Sequence, residues 1–563
     1  MSDQPRWAWG APQGRPDGQS HQPSEEQSPP PADEQPTREQ PAYEQPEYES
    51  ADERATEGAS RAETGTGPRR ALHPGDDFRR TVVFTVAGTI LPGLGLLAAR
   101  RRVLGGIVLG LFVTVLLTIG VWAAVDRDTL TSLAVRPGAL RTIGVILIVV
   151  ALLWVVVVVA SHLALRGRAS RVQRVTGGLL VGVLAFAVAA PLGFAANLSY
   201  VQASTIDKVF KSDKNSKSAT RPTLNIPRPT EPGQTQPSDP WAGTPRLNIL
   251  LLGGDAGKGR VGTRPDTVIL ASIDTKTGDT TLFSLPRNPA RMPFPKKSPL
   301  HEYYPNGFTN GNGDDPEYFL NAMYDNVPNN VPKDVLGETD DLGADAMKLS
   351  VGAALGLTVD YYVLINLQGF TKLIDALGGI TLNINTYIPI GGNTDRGIKP
   401  DEYLQPGKNQ HLDGRKALWY ARGRYGSTDY ARMDRQRCVI NAIIDQANPA
   451  NVLTRYEKIA RAGGDIVFTD MPREVLPLMV DLSLRVKNGN VRSIVFKTGS
   501  DGFVSARPDF PKMRKRVDAA IGEAKAEPSP SASKKTSKKP ESEDVSDSCA
   551  YDAKAAESAQ KPS

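Results

Sequence analysis

Long uncharged apolar runs in the first half of the chain constrain its fold more than any other feature. Residues 103–125, 142–165 and 175–206 contain no Asp, Glu, Lys or Arg. About 20 apolar residues are enough to cross the hydrocarbon core of a bilayer as a helix. The sequence therefore predicts a multi-span helical membrane anchor over 79–206, with the third crossing at about 175–198.

A fourth apolar run, 81–99, is broken in its middle by Pro92-Gly93 and has arginines at both flanks. Lys and Arg accumulate on the cytoplasmic side of membrane segments, so the arginine-rich loop 166–174 is predicted inside and the loop 126–141 outside. Both flanks of 81–99 then lie inside, which predicts a re-entrant or interfacial segment. The N-terminus is expected in the cytoplasm and everything after about residue 200 outside the cell. Four full spans with a cytoplasmic C-terminal half are the alternative.

Composition divides the remainder of the chain into four blocks. Residues 1–78 are rich in Gln, Glu, Pro, Gly and Ser and predict a disordered cytoplasmic arm. Residues 207–244 read as a polar linker, and 524–563 as a low-complexity tail that is expected to be disordered. Between them, 245–523 alternates short apolar runs with helical stretches, which predicts an α/β (α+β) domain with a central mixed sheet flanked by helices. The net charge of +6 is spread along the chain, so nucleic-acid binding is not expected.

The chemistry of the predicted domain rests on arginine and carboxylate. The chain has no Gly-x-Ser-x-Gly elbow, no Walker loop, no His-Glu-x-x-His and no Cys-x-x-Cys. Instead Asp255 follows the first predicted strand in a Gly-rich turn, Arg264 and Asp266 open the second, and Arg287 ends the third. Open sheets commonly place their sites at such strand ends.

A denser cluster lies between residues 420 and 437. It contains Arg422, Arg424, Asp429, Arg432, Arg435 and Gln436. Guanidinium forks match phosphate oxygens, and magnesium favours one or two carboxylates together with substrate phosphates. The combined pattern predicts a pyrophosphate site, although a solvated basic helix face is the competing interpretation for any single arginine.

Six phrases carry a resemblance to a known family over about residues 246–521. They are Arg264-Pro265-Asp266-Thr267, Leu285-Pro286-Arg287, Val359-Asp360-Tyr361-Tyr362, and the stretches 374–380, 412–422 and 429–436. In order and spacing they resemble a LytR-CpsA-Psr domain. The resemblance implies a phosphotransferase that moves a wall glycan polymer from a polyprenyl-pyrophosphate carrier to a hydroxyl of peptidoglycan. Polymer carrier, peptidoglycan and membrane are thus the expected partners.

The resemblance also implies roles for individual residues. Mg²⁺ or Mn²⁺ would be held by Asp255 and Asp266. The catalytic set would be Arg287, Arg422, Arg424, Arg432 and Asp429, and the substrate-binding set Arg264, Arg435 and Gln436. A tunnel for the prenyl tail would be lined from the region 351–370, including Val351, Leu355, Leu357, Val363, Ile365 and Phe370, with ordinary core packing as the alternative for each.

Two positions depart from the family pattern. Asn288 stands where the family usually has Asp after the third-strand arginine, and Pro265 replaces a small hydroxyl residue.

With water as the acceptor, the same site would be a pyrophosphatase. A non-catalytic membrane protein that binds lipid-linked glycans and regulates envelope assembly is the rival function.

The chain has two cysteines, Cys438 and Cys549. Both fall on the side predicted outside the cell, where disulfides persist. A bridge between them would tie the tail beside the helix of the arginine cluster, and two free thiols are the alternative.

Overall fold

A computed structural model describes residues 74–126, 133–167, 170–222, 241, 243–254, 263–446, 467–499, 503–525 and 542–561. Of the arm predicted over 1–78, residues 1–73 lie outside the described residues. Asp255 lies outside them too.

The first five helices form the apolar part of the chain. They are α1 (Pro74–Ile90), α2 (Leu94–Ala98), α3 (Arg102–Val125), α4 (Pro137–Leu165) and α5 (Arg171–Val209). Within the described part of the chain, three of them, α3, α4 and α5, are long and apolar enough to cross a membrane. They contain the three predicted spans and fit a membrane anchor, whereas the direction of each crossing stays a prediction. Helix α5 continues well past the predicted end of its span at 198.

The run 81–99 forms a helical hairpin that turns at Pro92-Gly93. Gly93 has a φ of 103°, and a Cβ there would lie 2.5 Å from the backbone oxygen of Gly105, so the turn requires glycine. A buried side-chain hydrogen bond joins α1 to α4, since Thr85 Oγ1 lies 3.2 Å from His162 Nδ1. The backbone turns where the sequence predicts, and entry of this hairpin into the membrane stays a prediction.

From residue 246 onward, strands and helices alternate. These elements, called the α/β domain below, are β1 (Arg246–Gly254), β2 (Pro265–Asp274), β3 (Thr280–Leu285), α6 (Leu300–Tyr303), α7 (Leu320–Asn330), α8 (Leu342–Leu355), β4 (Tyr361–Asn366), α9 (Leu367–Leu377), β5 (Ile380–Ile384), β6 (Ile388–Asn393), β7 (Ile398–Leu404), β8 (Gly407–Leu412), α10 (Gly414–Arg422), α11 (Asp429–Gln446), β9 (Val467–Thr469), α12 (Leu476–Asn488), β10 (Val491–Val495), α13 (Phe510–Lys525), β11 (Glu543–Asp544), α14 (Val545–Ser548) and α15 (Ala553–Ser558).

Local capping defines several helix ends of the α/β domain. The carboxylate of Asp413 accepts from the backbone N–H of Lys416 at the start of α10, and Asn366 caps α9 in the same way. Gly356 ends α8 in the left-handed conformation, with a φ of 77°. Short polar side chains at the N-terminus and glycine after the C-terminus are the residues that helix ends favour.

The described strands include a seven-stranded sheet in the order β11-β10-β3-β2-β1-β4-β9. Strand β1 is antiparallel to β2 and parallel to β4, and β10 is parallel to β3. The predicted mixed sheet flanked by helices is therefore confirmed. Two smaller sheets pair β5 with β8 and β6 with β7.

Alternate side chains of β1 enter two different apolar clusters. Leu250 and Leu252 pack against α8 and α13 in the larger cluster. Leu247 and Ile249 face the opposite side of the sheet and belong to a second cluster, which also contains Ile206 of α5. Successive side chains of a strand point to opposite faces, so β1 joins the core of the α/β domain to the end of a candidate membrane helix.

Polar contacts strengthen this junction. Asp207 near the end of α5 pairs with Arg141 of α4 and with Arg473 of the α/β domain, each at 2.5 Å. Beyond α5, Ser218 donates to the buried carboxylate of Asp345 at 2.8 Å. The first part of the predicted linker 207–244 is thus docked on the α/β domain, because its hydroxyls satisfy a carboxylate that burial would otherwise leave unpaired.

The C-terminal segment corrects a second expectation. Residues 542–561, predicted to be part of a disordered tail, form β11, α14 and α15. Cys549 is joined to Cys438 of α11 by a disulfide, which confirms the predicted bridge. Val545 is fully buried between β10 and α11. This covalent link and buried side chain hold a segment whose composition alone favours disorder.

Candidate functional site

Four elements of the α/β domain converge at one end of the large sheet. Strand β1 ends at Gly254, which pairs with Pro265 at the start of β2, and Asp266 follows immediately. Arg287 comes just after the end of β3, and Asp429 is the first residue of α11. The antiparallel pairing of β2 with its two neighbours brings these positions together although they are distant in sequence.

Two carboxylates and three guanidiniums interleave at this end of the sheet. Asp266 Oδ1 lies 3.2 Å from Arg287 Nη1, and Arg432 Nη2 donates to the backbone oxygen of Asp266 at 2.9 Å. Asp429 Oδ1 lies 3.1 Å from Arg432 Nη2, 3.4 Å from Arg424 Nη1 and 4.0 Å from Arg287 Nε. The structure thus brings together five of the predicted site residues.

Arg432 is the buried member of this cluster. Its side chain is 3% exposed, and its Nε has no hydrogen-bond partner among the described residues. Burial lowers the pKa of Arg432, and the carboxylates of Asp429 and Asp266 act in the opposite direction. A guanidinium stays protonated at neutral pH even so, and Arg432 therefore contributes a desolvated positive charge at the site.

An apolar cavity of about 370 Å³ opens beside the cluster and is called the apolar cavity below. Its charged end is formed by Arg422, Arg424, Arg432 and Asp266. The aliphatic and aromatic part of its wall includes Leu251, Ile269, Val363, Ile365, Leu367, Phe370, Leu373, Leu418, Val439, Ile440, Ile443 and Ile444. Such a wall accepts an apolar chain, and the arginines accept an anion at its end.

The residues predicted to line a tunnel for the prenyl tail divide between a cavity and the core, and occupation of the cavity by a prenyl tail stays a prediction. Val363, Ile365 and Phe370 line the apolar cavity. Val351 and Leu355 of α8 are fully buried in the larger core cluster, against which Leu357 also packs. Helix α8 covers the opposite face of the sheet, so these three residues are core.

A second, polar cavity adjoins the first and is called the polar cleft below. It has a volume of about 610 Å³ and shares Arg422 and Arg424 with the apolar cavity. The rest of its wall is Arg287, Gly391, Gly392, Asn393, Thr394, Trp419, Tyr425, Gly426, Ser427, Thr428 and Asp429. The guanidinium of Arg422 lies 4.9 Å from the ring centre of Trp419. A row of arginines therefore separates an apolar compartment from a polar one.

The sequence profile of the LytR_cpsA_psr family matches residues 199–502, which is more than half of the chain. The chain belongs to this family. Every described residue of the arginine and carboxylate cluster lies within the LytR_cpsA_psr match, as do the described walls of both cavities. The C-terminal segment with Cys549 lies beyond it.

Curated relatives and a solved structure are similar to part of this chain. The chain is similar to a polyisoprenyl-teichoic acid–peptidoglycan teichoic acid transferase TagU of Oceanobacillus iheyensis, with 29% identity over 238 residues that cover 42% of this chain and 62% of that protein. The match thus spans less than two thirds of that relative. TagU of Enterococcus faecalis is 26% identical over 298 residues, covering 52% of this chain and 78% of that protein. The crystal structure of Bacillus subtilis TagV aligns with a TM-score of 0.35 and 25% identity, covering 50% of this chain and 96% of that one.

Two predicted substrate-binding residues, Arg264 and Arg435, line neither cavity. Arg264 pairs with Glu317. Arg435 is buried and donates from Nε to the backbone oxygen of Tyr420 at 2.7 Å, and from Nη2 to that of Gly423. Burial is the main cause that lowers the pKa of Arg435 to about 10. Arg435 therefore holds the end of α10 in place and is a positioning residue.

Gln436 and Asn288 occupy different environments. Gln436 lines the apolar cavity, and its Nε2 lies 3.4 Å from the backbone oxygen of Ala421. Its predicted role in substrate binding stays a prediction. Asn288 is exposed next to Arg287. The carboxylates that face Arg287 are instead those of Asp266 and Asp429.

The possible metal ligands near Asp266 can be compared with those that the predicted magnesium ion requires. The described residues contain no group of three or more His, Cys, Asp or Glu that could hold an ion. Asp266 is a half-exposed carboxylate at the charged end of the apolar cavity. Magnesium usually takes one or two carboxylates and fills its remaining positions with substrate phosphates and water. The residues present fit an ion that arrives with a pyrophosphate substrate.

The polar cleft has an aromatic side chain in its wall, Trp419, that is not among the predicted site residues. Trp419 lies inside one of the stretches that carry the family resemblance, three residues before Arg422 on α10. A spacing of three places both side chains on one face of a helix, and that signal was available in the sequence. No comparable pattern in the sequence indicates that Gly391 and Gly392 of β6 form another part of the cleft wall.

Proposed function

We propose that the chain is a membrane-anchored transferase that works outside the cell. It moves a glycan polymer from a polyprenyl-pyrophosphate carrier to a hydroxyl of peptidoglycan, forming a phosphodiester. The observation that carries this proposal is that Arg422 and Arg424 line both the apolar cavity and the polar cleft. A molecule with a long apolar tail, a pyrophosphate and a sugar matches this order of compartments. The names of the TagU relatives describe polymer transfer to peptidoglycan.

In the proposed reaction, the acceptor hydroxyl oxygen attacks the phosphorus that bears the glycan. A new P–O bond forms to the acceptor, the bond from that phosphorus to the bridging oxygen breaks, and polyprenyl phosphate leaves with the electron pair. Asp429 orients the hydroxyl and takes its proton late, because phosphoryl transfer has a loose transition state. The charge that spreads over the phosphate oxygens is neutralised by Arg287, Arg422, Arg424 and Arg432, and this is usually the largest contribution in such sites.

Asp266 would hold the Mg²⁺ or Mn²⁺ ion, which would supply additional charge neutralisation at the phosphate oxygens when bound. Arg287 and Arg432, both beside Asp266, fix the orientation of its carboxylate. With water in place of the sugar hydroxyl, the same arrangement would hydrolyse the pyrophosphate as a side activity.

Polymer transfer by the full-length protein in lipid nanodiscs tests this function. The donor is a polyprenyl-pyrophosphate glycan with a labelled sugar, the acceptor is peptidoglycan, and Mg²⁺ is present. We expect transfer that chelation abolishes and that Arg422→Ala lowers by about 100-fold, since one preorganised donor to the developing charge is worth roughly that much. Donor binding without any transfer by the unmodified protein would instead support a non-catalytic binder of lipid-linked glycans that regulates envelope assembly.

The location requires a separate test. Reporter domains fused after residue 200 and within 127–140 should both report the outside of the cell under the proposed topology. Two cytoplasmic signals would separate the α/β domain from its proposed substrates and contradict the function.

A further inference from the structure

We infer that one end of the apolar helices is a contact surface for the headgroups of anionic phospholipids. The surface is formed by exposed arginines from four segments of the chain, and it is called the arginine face below. The inference rests on the membrane anchoring proposed above and on no part of the proposed catalysis.

Contacts between the helices place these arginines at the same end. Helix α1 is antiparallel to α4, since Thr81 near its start donates from Oγ1 to the backbone oxygen of Leu165 at 3.1 Å. Helix α2 runs back along α1, and a Cβ on its Gly95 would lie 2.7 Å from the side chain of Ser161. The start of α1, the turn after α2, the end of α4 and the start of α5 therefore meet. They carry the exposed arginines Arg79, Arg80, Arg100, Arg101, Arg102, Arg166, Arg171 and Arg174.

The positive charge of the arginine face is not balanced. The part of the chain that the structure describes shows no ion pair between these eight arginines and a carboxylate. Residues 74–80, 99–102 and 166–174 together contain two acidic residues, Asp76 and Asp77. An anion from outside the chain is therefore needed to neutralise the face.

Two long helices add to this demand because they begin at the arginine face. Helices α3 and α5 have 24 and 39 residues, and neither has an acidic residue in its first turn. Arg102 starts α3, and Arg171 starts α5. A helix N-terminus carries a partial positive charge, so arginines there increase the local potential that an anion would relieve.

The backbone at Arg100 is a separate indication that arginine side chains are used here. Arg100 has a φ of 63°, in the left-handed region that favours glycine. It lies in the turn that sends α3 back along α2, where Gly105 packs against Leu97. Glycine would adopt this conformation without strain, and strained residues cluster at functional positions. The exposed guanidinium of Arg100 therefore has a use that the turn itself does not supply.

An anionic phospholipid fits both the charge and the position of this surface. Its phosphate matches the guanidinium forks, and its net negative charge distinguishes it from a lipid whose choline cancels the phosphate. Exposed apolar side chains of α3 follow the arginines directly, with Val103 78% and Ile107 61% exposed. Acyl chains would lie along these side chains while the headgroup stays at the arginines. Basic clusters next to membrane helices attract anionic headgroups in this way.

Lipid affinity of the full-length protein in detergent micelles tests the inference. Fluorescence anisotropy of labelled phosphatidylglycerol gives its dissociation constant as a fraction of the micelle. Labelled phosphatidylcholine with the same acyl chains measures what the chains contribute. Inorganic phosphate, compared with chloride at equal ionic strength, separates a lipid headgroup from soluble phosphate as the ligand.

We expect phosphatidylglycerol to bind more tightly than phosphatidylcholine. The triple variant Arg100→Gln, Arg101→Gln, Arg102→Gln should weaken phosphatidylglycerol by about fivefold or more, since one basic residue near an anionic surface contributes about that factor. It should leave phosphatidylcholine unchanged. The matched control neutralises three exposed lysines beyond the other end of α5, Lys208→Gln, Lys211→Gln and Lys214→Gln, and should have little effect.

A single variant separates lipid binding from folding. Arg100→Gly removes one guanidinium and relieves the left-handed backbone, so it should raise the melting temperature while weakening phosphatidylglycerol. Loss of affinity with higher stability cannot result from misfolding.

Three outcomes would overturn the inference. The triple arginine variant keeps its affinity for phosphatidylglycerol within about twofold, the lysine control is equally impaired, or inorganic phosphate displaces the lipid. A protein that does not enter micelles would refute the anchoring, and this inference with it. A protein that enters them without preferring phosphatidylglycerol refutes the inference alone.

Discussion

Replacing Arg432 with lysine tests the central electrostatic feature of the site. The substitution keeps a positive charge beside Asp266 and Asp429, so neither carboxylate loses its cation. It removes the planar fork that donates to the Asp266 backbone oxygen at 2.9 Å and reaches Asp429 at 3.1 Å. It also removes Nε, which is buried and has no hydrogen-bond partner within the described residues.

The size of the effect follows from this geometry. An ammonium can replace one of these contacts but has no second arm at a fixed angle. Loss of one preorganised donor to a developing oxyanion costs about 3 to 4 kcal/mol, or roughly 100- to 1,000-fold in kcat. The free energy of unfolding should fall by less than about 2 kcal/mol, because the buried charge is retained.

The assay is transfer of labelled polymer by the full-length protein, with kcat and KM measured separately and folding followed by thermal unfolding. Arg437→Lys is the matched control. Arg437 lies on the same helix, is also 3% exposed and also has an Nε without a described partner, but it bonds to Asp434 and lines neither cavity. If kcat of folded Arg432→Lys stays within tenfold of the unmodified protein, or if Arg437→Lys is equally impaired, the reasoning is refuted.

Three further predictions concern stability, each measured by unfolding of the detergent-solubilised protein. Burial is the largest influence on Asp360 and raises its pKa from 3.8 to about 6. The folded state therefore favours the protonated carboxyl, so the stability that Asp360 contributes is present below pH 4 and is lost as the pH rises through 6. Asp360→Asn should remove about 3 kcal/mol of this pH dependence of the free energy of unfolding. The Cys438–Cys549 bridge closes a loop of 111 residues, so Cys438→Ser should cost about 4 to 5 kcal/mol, and an unchanged melting temperature would contradict this. Lys348→Met leaves the buried carboxylate of Asp470 without the ammonium that lies 2.5 Å away and should cost about 3 to 5 kcal/mol, whereas pairing it with Asp470→Asn should restore most of the loss.

Local patterns explain why much of the architecture could be predicted. Uncharged runs identify the candidate spans, since each must bury its whole length in apolar surroundings. Asp266 and Arg287 were placed at neighbouring strand ends from sequence, and Arg424, Asp429 and Arg432 from their density. These features depend on spacing along the chain, and the structure brings them together.

The features that the sequence does not indicate depend on contacts between distant segments. Arg435 belongs to the dense arginine cluster of the sequence, but the last carbonyls of α10 need donors, and Arg435 donates to those of Tyr420 and Gly423. That demand arises only when α10 packs against α11. Arg264 pairs with Glu317, a partner on another element that no local pattern indicates. The docking of residues 542–561 likewise depends on one distant cysteine and on Val545.

The junction at Asp207 has a mechanical consequence. A flexible linker of about 38 residues would have a root-mean-square end-to-end distance of roughly 35 Å, and the α/β domain could move relative to α5 over that range. Instead, the end of α5 packs against the α/β domain, and the carboxylate of Asp207 pairs with both Arg141 and Arg473. Strand β1 is about 30 Å long, so a 10° tilt at its base would displace the arginines by about 5 Å. The contacts of Asp207 therefore limit how far the arginines of the site can shift relative to α5.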